Sequence, residues 1–325
     1  MIGCGRIGSG VENSNDTVGI YTHAGAYTAC PKTQLVAVCD VDPVRLASCG
    51  ERWHVAARYT DSLELLKLER PDIVSLCTPD YTHVVLLRSV LQASGVKAVL
   101  AEKPLALDPE EARELAQLAE DRGIILAVNY IRRFAPSHIA LKSWLDAGGL
   151  GNLQTVSGYY GKGLLNNGTH WLDLARYLAG EVKGIQGQDR LHEESSDPTL
   201  DVELAFVNGA HGSLFGLDAR HFAHFEMDLV GTAGRIRLTD FGHDLEVYEV
   251  VPSPRYRGYR ELARSESRLR GDLKDILLHV VVDIVRCLEE GGQPRCTGYD
   301  GVVALEMAFA ARASLLDGQP RRVGL

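Results

Sequence analysis

The first residues that could do chemistry form a glycine-rich run at the start of the chain. Gly3, Gly5 and Gly8 have the spacing G-x-G-x-x-G. The first glycine of such a run permits a tight turn, the second lets backbone approach a pyrophosphate, and the third lets a helix pack closely on a strand. We predict a dinucleotide site with contacts from Gly3, Gly5, Arg6 and Ile7. Because the chain has 33 glycines, this motif needs support from other residues.

Asp40 provides that support. It follows the apolar run 35–39, at the end of the second predicted strand, where a carboxylate can accept both ribose hydroxyls of the adenosine half. A carboxylate there would repel a 2′-phosphate, so the sequence favours NAD over NADP. If NADP were preferred, Arg6 or Arg45 would receive the extra phosphate. The competing interpretation, a carboxylate that caps the next helix, fits Asp42 better.

Two features depart from the usual dinucleotide fingerprint. Only Met1 and Ile2 precede the first glycine, so the first strand is either stunted or begins upstream of this sequence. A stretch of 14 residues, 9–22, separates the glycines from a helix predicted near His23 and moves Asp40 beyond the usual offset of about 20 residues. Its Asn, Asp, Ser and Gly content predicts a mobile inserted loop on the pyrophosphate side of the site.

Two polar segments follow later strands of the same predicted sheet. The segment 78–83 comes after the apolar run 73–77, and the segment 102–104 comes after the run 98–101. Open α/β sheets bind their ligands at the carboxyl ends of the strands. We therefore predict further cofactor contacts from Thr78, Pro79, His83, Glu102 and Lys103.

The elements that position these residues change in character near residue 130. Before it, apolar runs alternate with helical stretches, which predicts a parallel sheet covered on both faces, and Asp42-Pro43 and Asp108-Pro109 are typical helix starts. After it, 200–206 and 225–229 alternate apolar with charged residues, as antiparallel strands do. We predict a dinucleotide-binding domain over 1–130 and a substrate-binding and oligomerisation domain over 131–325.

Helices are expected in the second half of the chain at 136–147, 168–179, 272–289 and 300–316. The stretch 251–271 is rich in arginine, proline and serine and is interpreted as an exposed loop.

Composition excludes several classes of partner and location. The 34 basic and 43 acidic residues give a net charge of −9, which argues against nucleic acid or an anionic membrane as a general partner. No run approaches the roughly 20 apolar residues of a membrane span, and the chain does not open on a secretory signal pattern. Seven cysteines, an odd number without a C-x-x-C pair, favour the reducing cytoplasm. We expect a small-molecule partner.

Metal and hydrolase chemistry find little support. His221 and His224 form an H-x-x-H pair, but on an alternating strand they point to opposite faces and lack a carboxylate third ligand, so no metal is predicted. The sequence has no G-x-S-x-G nucleophile motif.

Eight segments, in this order, resemble the Gfo/Idh/MocA family of NAD(P)-dependent sugar and polyol oxidoreductases over nearly the whole chain. They are GCGRIG, VAVCDVDP, TPDYTH, AEKPLALDPEEAREL, NYIRRFAP, NNGTHWLDLARYLAG, GTAGRIRL and DGVVALEMAFAARASLLDGQPRRV. The resemblance implies an N-terminal Rossmann domain, a C-terminal α/β domain with a large, open, mostly antiparallel sheet, and a substrate cleft between them.

The resemblance also implies that Lys103 is the catalytic lysine and that His170 acts with it. Oxidising a secondary alcohol requires the hydroxyl proton to leave, and histidine titrates in the right range while lysine can polarise the oxygen. Asn166 lies four residues before His170 and Asp173 three residues after it, so on a helix all three could face one side and support catalysis.

One residue departs from many members of that family, which carry aspartate where Asn166 stands. Asparagine cannot act as a base, so the proton-transfer work shifts to His170. Some relatives that resemble nucleotide-sugar dehydrogenases also have asparagine here, which keeps a sugar-nucleotide substrate open. The family's pattern further implies substrate contacts from Tyr160, Lys162, Asn166 and Arg133.

These observations predict a cytoplasmic NAD-dependent oxidoreductase that acts on a secondary hydroxyl or keto group of a sugar, cyclitol or sugar derivative. One alternative is a nucleotide-sugar dehydrogenase or ketosugar reductase of a glycan or natural-product pathway. Another is a catalytically inactive cofactor-binding regulator, suggested by the short first strand and the inserted loop. An open sheet with an apolar outer face would need a cover, which predicts a homodimer or homotetramer.

Overall fold

The computed structural model describes residues 1–10, 19–265, 269–270 and 273–323. Within the chain, contacts separate two compact units. The first consists of Met1–Phe134 and Lys274–Val302, and the second of Ala135–Leu273 and Val303–Leu325. A single boundary at residue 130 does not describe this division, because a later segment of the chain returns to the first unit. Of the predicted inserted loop 9–22, residues 11–18 lie outside the described residues.

The first unit is built on a parallel sheet, as the sequence predicts. Its strands are β1 (Ala37–Cys39), β2 (Ala57–Tyr59), β3 (Ile73–Leu76), β4 (Ala98–Ala101) and β5 (Ile125–Val128). Strands β1 and β2 pair in parallel, as do β3, β4 and β5 in that order. Ile2 alone stands in the place of the expected first strand, where it forms parallel bridges to Cys39 and Leu76 and so joins the two groups.

Side-chain caps begin four of the five helices that connect these strands in the described residues, and the helix that begins at His83 is the exception. The helices are α1 (His23–Ala29), α2 (Pro43–Arg52), α3 (Ser62–Glu69), α4 (His83–Gln92) and α5 (Pro109–Asp121). The Asp42 carboxylate accepts hydrogen bonds from the first-turn N–H groups of α2, and Asp108 does the same for α5. These bonds satisfy donors that have no partner inside a helix, so both predicted helix starts are confirmed.

The second unit begins with a helix and a long strand, α6 (Pro136–Asp146) and β6 (Leu153–Tyr160), followed by α7 (Thr169–Ala179). The strands after them are β7 (Val182–Gln188), β8 (Asp201–Phe206), β9 (His211–Gly216), β10 (Phe225–Gly231), β11 (Gly234–Thr239), β12 (Asp244–Pro252), β13 (Arg260–Arg264) and β14 (Leu269–Arg270). The last strand is β15 (Arg321–Arg322).

These strands form one ten-stranded sheet with the order β13-β12-β11-β10-β6-β9-β8-β7-β15, and β14 pairs with β12. All the pairings are antiparallel except that of β6 with β9. The large, mostly antiparallel sheet that the resemblance implied is therefore confirmed. Helix α7 packs on the inner face, where the buried Trp171 indole N–H donates a 2.9 Å hydrogen bond to the backbone oxygen of Glu226.

The prediction of an exposed loop over 251–271 is wrong for Arg260–Arg264, which forms β13 at the edge of this sheet, and residues 266–268 and 271 of that stretch lie outside the described residues. Exposure along this strand alternates only between exposed and half-buried. Both faces therefore accept charged side chains, and the Arg264 guanidinium pairs with Glu246 at 2.7 Å. A strand without a buried face carries no apolar alternation for sequence reasoning to find.

The outer face of the sheet is largely charged rather than apolar. Asp228 and Arg235 form an ion pair there, and Arg237 lies 3.6 Å from Glu226 and 3.4 Å from Glu246. An aromatic pair on this face, Tyr159 and Phe215, has ring centroids 5.8 Å apart. The expectation of an apolar outer face that needs a cover is thus not met along most strands, and self-association stays a prediction.

The returning segment contains α8 (Ile276–Glu290), which packs against α1 and against the 3₁₀ turn Ile131–Phe134. Helix α9 (Gly298–Ser314) begins in the first unit. Its Asp300 carboxylate pairs with the Arg133 guanidinium at 3.1 Å. Among the described residues, no helix combines the length and hydrophobicity that crossing a membrane requires.

Candidate functional site

The glycine-rich run forms a tightly packed turn with one open backbone position. Gly3 has φ +95°, and a Cβ there would lie 2.6 Å from the backbone oxygen of Cys77. A Cβ on Gly8 would lie 2.3 Å from the oxygen of Gly3, whereas a Cβ on Gly5 would meet nothing within 4 Å. The turn therefore requires glycine at the first and third positions for packing. The second position leaves backbone exposed to an approaching group, as pyrophosphate binding needs.

Asp40 lies directly beside this turn, after β1. Its Oδ2 accepts a 2.8 Å hydrogen bond from the backbone N–H of Cys4, and its Oδ1 accepts one of 2.8 Å from Asp42 N–H. The Arg45 guanidinium approaches Oδ1 at 3.4 Å. Each carboxylate oxygen has two lone pairs, so Oδ2 retains capacity for a ribose hydroxyl. The turn, the open backbone at Gly5 and this carboxylate fit the pyrophosphate and adenosine ribose of a dinucleotide.

His83 contacts both the segment that follows β3 and the segment that follows β4. His83 is 1% exposed, its Nδ1 lies 2.6 Å from the oxygen of Pro104, and its Nε2 lies 2.9 Å from the oxygen of Thr78. Both partners are carbonyl oxygens, so a ring nitrogen that carries a proton donates to the oxygen it faces. Thr78 is half-buried and Pro79 is exposed. His83 holds the two turns together, and a cofactor contact from it stays a prediction.

Glu102 and Lys103 follow β4 at the same edge of the sheet. Lys103 is half-buried and precedes a cis peptide bond to Pro104. The Glu102 side chain, 12% exposed, turns inward instead. Its Oε1 accepts hydrogen bonds from Asn129 at 2.6 Å and from His23 at 3.0 Å. The sequence analysis assigned no role to His23 or Asn129. A polar residue among apolar neighbours in the sequence is the signal that could have indicated a buried hydrogen bond at each position.

In the second unit, a π-helical turn over Gly163–Gly168 leads into α7 and presents the histidine motif. Asn166 is exposed, His170 is half-buried in the first turn of the helix, and Asp173 is 2% exposed. Asn166 and His170 thus lie close together along one short segment, whereas Asp173 lies on the side of α7 that faces the core.

Asp197 holds this turn in place from a distant loop. Its Oδ1 accepts a 2.7 Å hydrogen bond from Leu165 N–H, and its Oδ2 accepts one of 3.0 Å from Asn166 N–H. Sequence reasoning missed this residue, because it lies in the loop between β7 and β8. The only local signal is the Asp-Pro pair at 197–198, which also marks ordinary turns.

Two of the predicted substrate contacts are used for packing instead. Tyr160 is fully buried, and its hydroxyl both donates to the oxygen of Leu200 and accepts from the N–H of Leu200, each at 2.8 Å. Burial raises the pKa of this hydroxyl well above its ordinary value. Arg133 is 5% exposed and engaged by Asp300. Both side chains therefore make their described contacts within the chain, and substrate contacts from them stay a prediction.

Lys162 and Asn166 line a polar cavity of about 450 Å³ within the second unit. Lys162 is exposed and has φ +69°. The cavity is bordered by amide and charged side chains, namely Lys162, Asn166, Glu193, Asp197, Asp218 and Arg220. Donors and acceptors of this kind can hydrogen-bond a molecule with several hydroxyl groups.

Comparison with known proteins identifies the family. Residues 1–130 match the family model described as "Oxidoreductase family, NAD-binding Rossmann fold", and residues 158–237 match "GFO/IDH/MocA C-terminal domain". The chain is 25% identical to the scyllo-inositol 2-dehydrogenase (NAD(+)) of Bacillus subtilis, over 98% of this chain and 94% of the relative. It is 25% identical to the D-apiose dehydrogenase of Paraburkholderia graminis, over 91% of this chain and 85% of the relative.

The solved structure of a probable dehydrogenase from Thermotoga maritima is similar to this chain, with a TM-score of 0.78 and 25% sequence identity. The match covers 99% of this chain and 97% of the chain in that structure. The fold and the two family models, which together match well over half of the chain, agree. The chain belongs to the Gfo/Idh/MocA family of oxidoreductases, and its first unit is an NAD-binding Rossmann fold.

Proposed function

We propose that the protein is an NAD-dependent dehydrogenase that oxidises a secondary hydroxyl group of a sugar, a cyclitol or a close derivative. Full-length relatives that act on inositol and apiose support this substrate class. The observation that carries the proposal is the polar cavity beside Asn166, since its amide, ammonium, guanidinium and carboxylate groups match a polyhydroxylated molecule.

Two residues of this chain carry the proton chemistry. Bound NAD supplies the hydride acceptor through its nicotinamide ring. Lys103 donates a hydrogen bond to the substrate oxygen and stabilises the negative charge that develops on it. His170 accepts the hydroxyl proton at a ring nitrogen. Asn166 binds a neighbouring hydroxyl, and Asp173, three residues after His170 on α7, positions that helix turn.

NAD rather than NADP is the proposed cofactor, because the Asp40 carboxylate lies beside the glycine turn and would repel a 2′-phosphate.

The described cysteines are all free and buried, which agrees with a reducing compartment such as the cytoplasm. We also propose a homodimer or homotetramer, which size-exclusion chromatography with light scattering would measure.

The test is turnover with a panel of substrates. NADH formation would be followed by absorbance with inositol isomers, free aldoses and ketoses, methyl glucosides and nucleotide sugars, and reduction of the matching keto compounds would be followed with NADH. We expect oxidation of a cyclitol or free sugar, with Lys103→Ala as the inactive control. Turnover confined to nucleotide sugars would contradict the proposed substrate class. NAD binding without turnover on any of these compounds would favour the regulator alternative.

A further inference from the structure

One loop forms much of the wall of the polar cavity beside Asn166. The loop between β7 and β8 contributes four of the lining residues, namely Glu193, Ser195, Asp197 and Thr199. This loop therefore determines many of the chemical groups that a molecule bound in the cavity would meet.

Backbone hydrogen bonds fix this loop against the turn that precedes α7. The N–H groups of four successive residues, 163–166, donate to residues 197–199 over distances between 2.7 and 3.1 Å. These donors open a helical segment and so have no partner within it. Glu193 is tied to the same loop segment, because its Oε2 accepts a 2.8 Å hydrogen bond from the N–H of Thr199. The lining side chains thus hold set positions relative to Asn166.

Three carboxylates line the cavity, and both oxygens of two of them are engaged within the chain. Both oxygens of Asp197 accept hydrogen bonds from the turn before α7. Both oxygens of Asp218 accept from the Arg220 guanidinium, the closest at 2.7 Å. Glu193 differs, because among the described residues it forms no ion pair and its Oε1 makes no hydrogen bond. A half-buried carboxylate thus keeps one open oxygen at the cavity wall.

The charges around this open oxygen decide which substituents it accepts. Arg220 is neutralised by Asp218, which leaves the carboxylates of Asp197 and Glu193 and, among the described lining residues, one further cation, the exposed Lys162. A carboxylate oxygen accepts hydrogen bonds from a hydroxyl or ammonium group and repels a phosphate or a second carboxylate. The excess of negative charge therefore favours an uncharged or aminated polyol over a phosphorylated one.

We propose that Glu193 is a specificity-determining residue, which accepts a hydrogen bond from a free hydroxyl group of the substrate and excludes a phosphate or carboxylate from that position. The substrate class is then an unphosphorylated polyol, in which an amino group can replace the hydroxyl group that contacts Glu193. This inference rests on the proposed function, because it takes the polar cavity as the place where the sugar or cyclitol binds.

The test compares the binding of charged and uncharged polyols and does not depend on turnover. Isothermal titration calorimetry of the NADH-loaded protein would measure Kd for myo-inositol and methyl glucoside and for their monoamino and monophosphate derivatives, with the substituent at each ring position in turn. NADH cannot oxidise an alcohol, so these complexes do not react. We expect at least one amino derivative to bind about tenfold more tightly than its parent, and the phosphate at that same ring position to bind at least about tenfold more weakly.

Variants of Glu193 separate its charge from its contribution to the structure. Glu193→Gln keeps the size of the side chain but removes the charge, and we expect it to reduce the ratio of amino to phosphate affinities by about tenfold or more. Glu193→Asp keeps the charge and should retain most of this ratio. Glu194→Gln is the matched control with an unchanged ratio, because Glu194 is exposed and does not line the cavity. A merely structural role of Glu193 would weaken the binding of all these ligands alike and leave the ratio unchanged.

An unchanged ratio in Glu193→Gln overturns the inference. A phosphate derivative that binds the wild-type protein more tightly than its parent also overturns it, and would indicate an anion site at Lys162. If Glu193→Gln does not fold, the wild-type series decides, and the inference is overturned when no amino derivative binds more tightly than its parent.

The same measurements distinguish this inference from the proposed function. A protein that shows the expected ratios but oxidises no polyol contradicts the proposed function alone. Oxidation of a polyol together with an unchanged ratio in Glu193→Gln contradicts this inference alone. A protein that binds none of these polyols contradicts both.

Discussion

Replacement of Asp40 by asparagine is expected to weaken NAD binding and to reduce the preference for NAD over NADP. The carboxylate is 8% exposed and is held by backbone N–H groups of Cys4 and Asp42, each at 2.8 Å. Asparagine retains an acceptor oxygen for only one of these two bonds, places its NH2 group at the position of the other oxygen, and carries no charge. The substitution therefore removes the electrostatic contribution while it largely preserves the shape of the site.

Two contributions set the size of the effect. A hydrogen bond from a ribose hydroxyl to a charged acceptor contributes about 1.5–3 kcal/mol, so its weakening corresponds to roughly tenfold or more in NAD affinity. A unit charge on a 2′-phosphate about 5 Å from the carboxylate is repelled by about 3 kcal/mol at an effective dielectric constant of about 20. The partly exposed Arg45 at 3.4 Å from Oδ1 offsets part of that repulsion. We expect the ratio of NAD to NADP affinities to fall by about a hundredfold.

Isothermal titration calorimetry of both cofactors, at one fixed salt concentration, measures this ratio. Asp42→Asn is the matched control, because that carboxylate lies two residues away and caps α2 through Val44 and Arg45. Because asparagine caps a helix about as well as aspartate, it should lower stability by only about 0.5 kcal/mol or less and leave the ratio nearly unchanged. A ratio in Asp40→Asn within about threefold of the wild-type ratio would refute the electrostatic argument, as would a wild-type protein that prefers NADP.

Two further predictions concern the second unit and the shared chemical step. Lys103→Ala and His170→Ala should each lower the single-turnover hydride-transfer rate by about 10² or more with little change in NAD affinity. The double variant should be little slower than either single variant. Asn166→Asp should change turnover less than either alanine substitution does. Fully additive losses in the double variant would show that Lys103 and His170 serve separate steps. Asp197→Ala should lower the free energy of unfolding by about 1–3 kcal/mol in urea titrations and raise KM for the sugar more than KM for NAD. An equal rise in both KM values would contradict the assigned role of Asp197.

Local signals predicted the parts of the fold that depend on neighbouring residues. The carboxylates of Asp42 and Asp108 begin helices because a short side chain next to a proline can reach the first-turn N–H groups without help from elsewhere. The apolar runs of the first unit are buried on both faces, so their composition alone identified parallel strands. The glycine spacing and Asp40 were found together for the same reason, since each marks the end of a predicted strand.

Features that depend on distant partners could not be predicted. Tyr160 was expected at the substrate, but its hydroxyl is satisfied by Leu200, forty positions along the chain. Asp197 holds the Asn166 turn from another loop, and nothing in its neighbours identifies that turn as its partner. The inward direction of Glu102 likewise depends on His23, 79 residues earlier, which no periodicity connects to it.

The return of the segment Lys274–Val302 to the first unit has a consequence for the order of folding during synthesis. Helix α8 covers α1 and the turn after β5, so a nascent chain that ends near residue 134 lacks one of the layers of this unit. At about 5–20 residues per second, roughly ten to thirty seconds pass before the missing segment is made. During that interval the apolar surface of α1 that α8 later covers is exposed to solvent. The second unit can therefore pair its strands β6 to β14, which are synthesised in between, before the Rossmann unit is complete, and only β15 joins its sheet later.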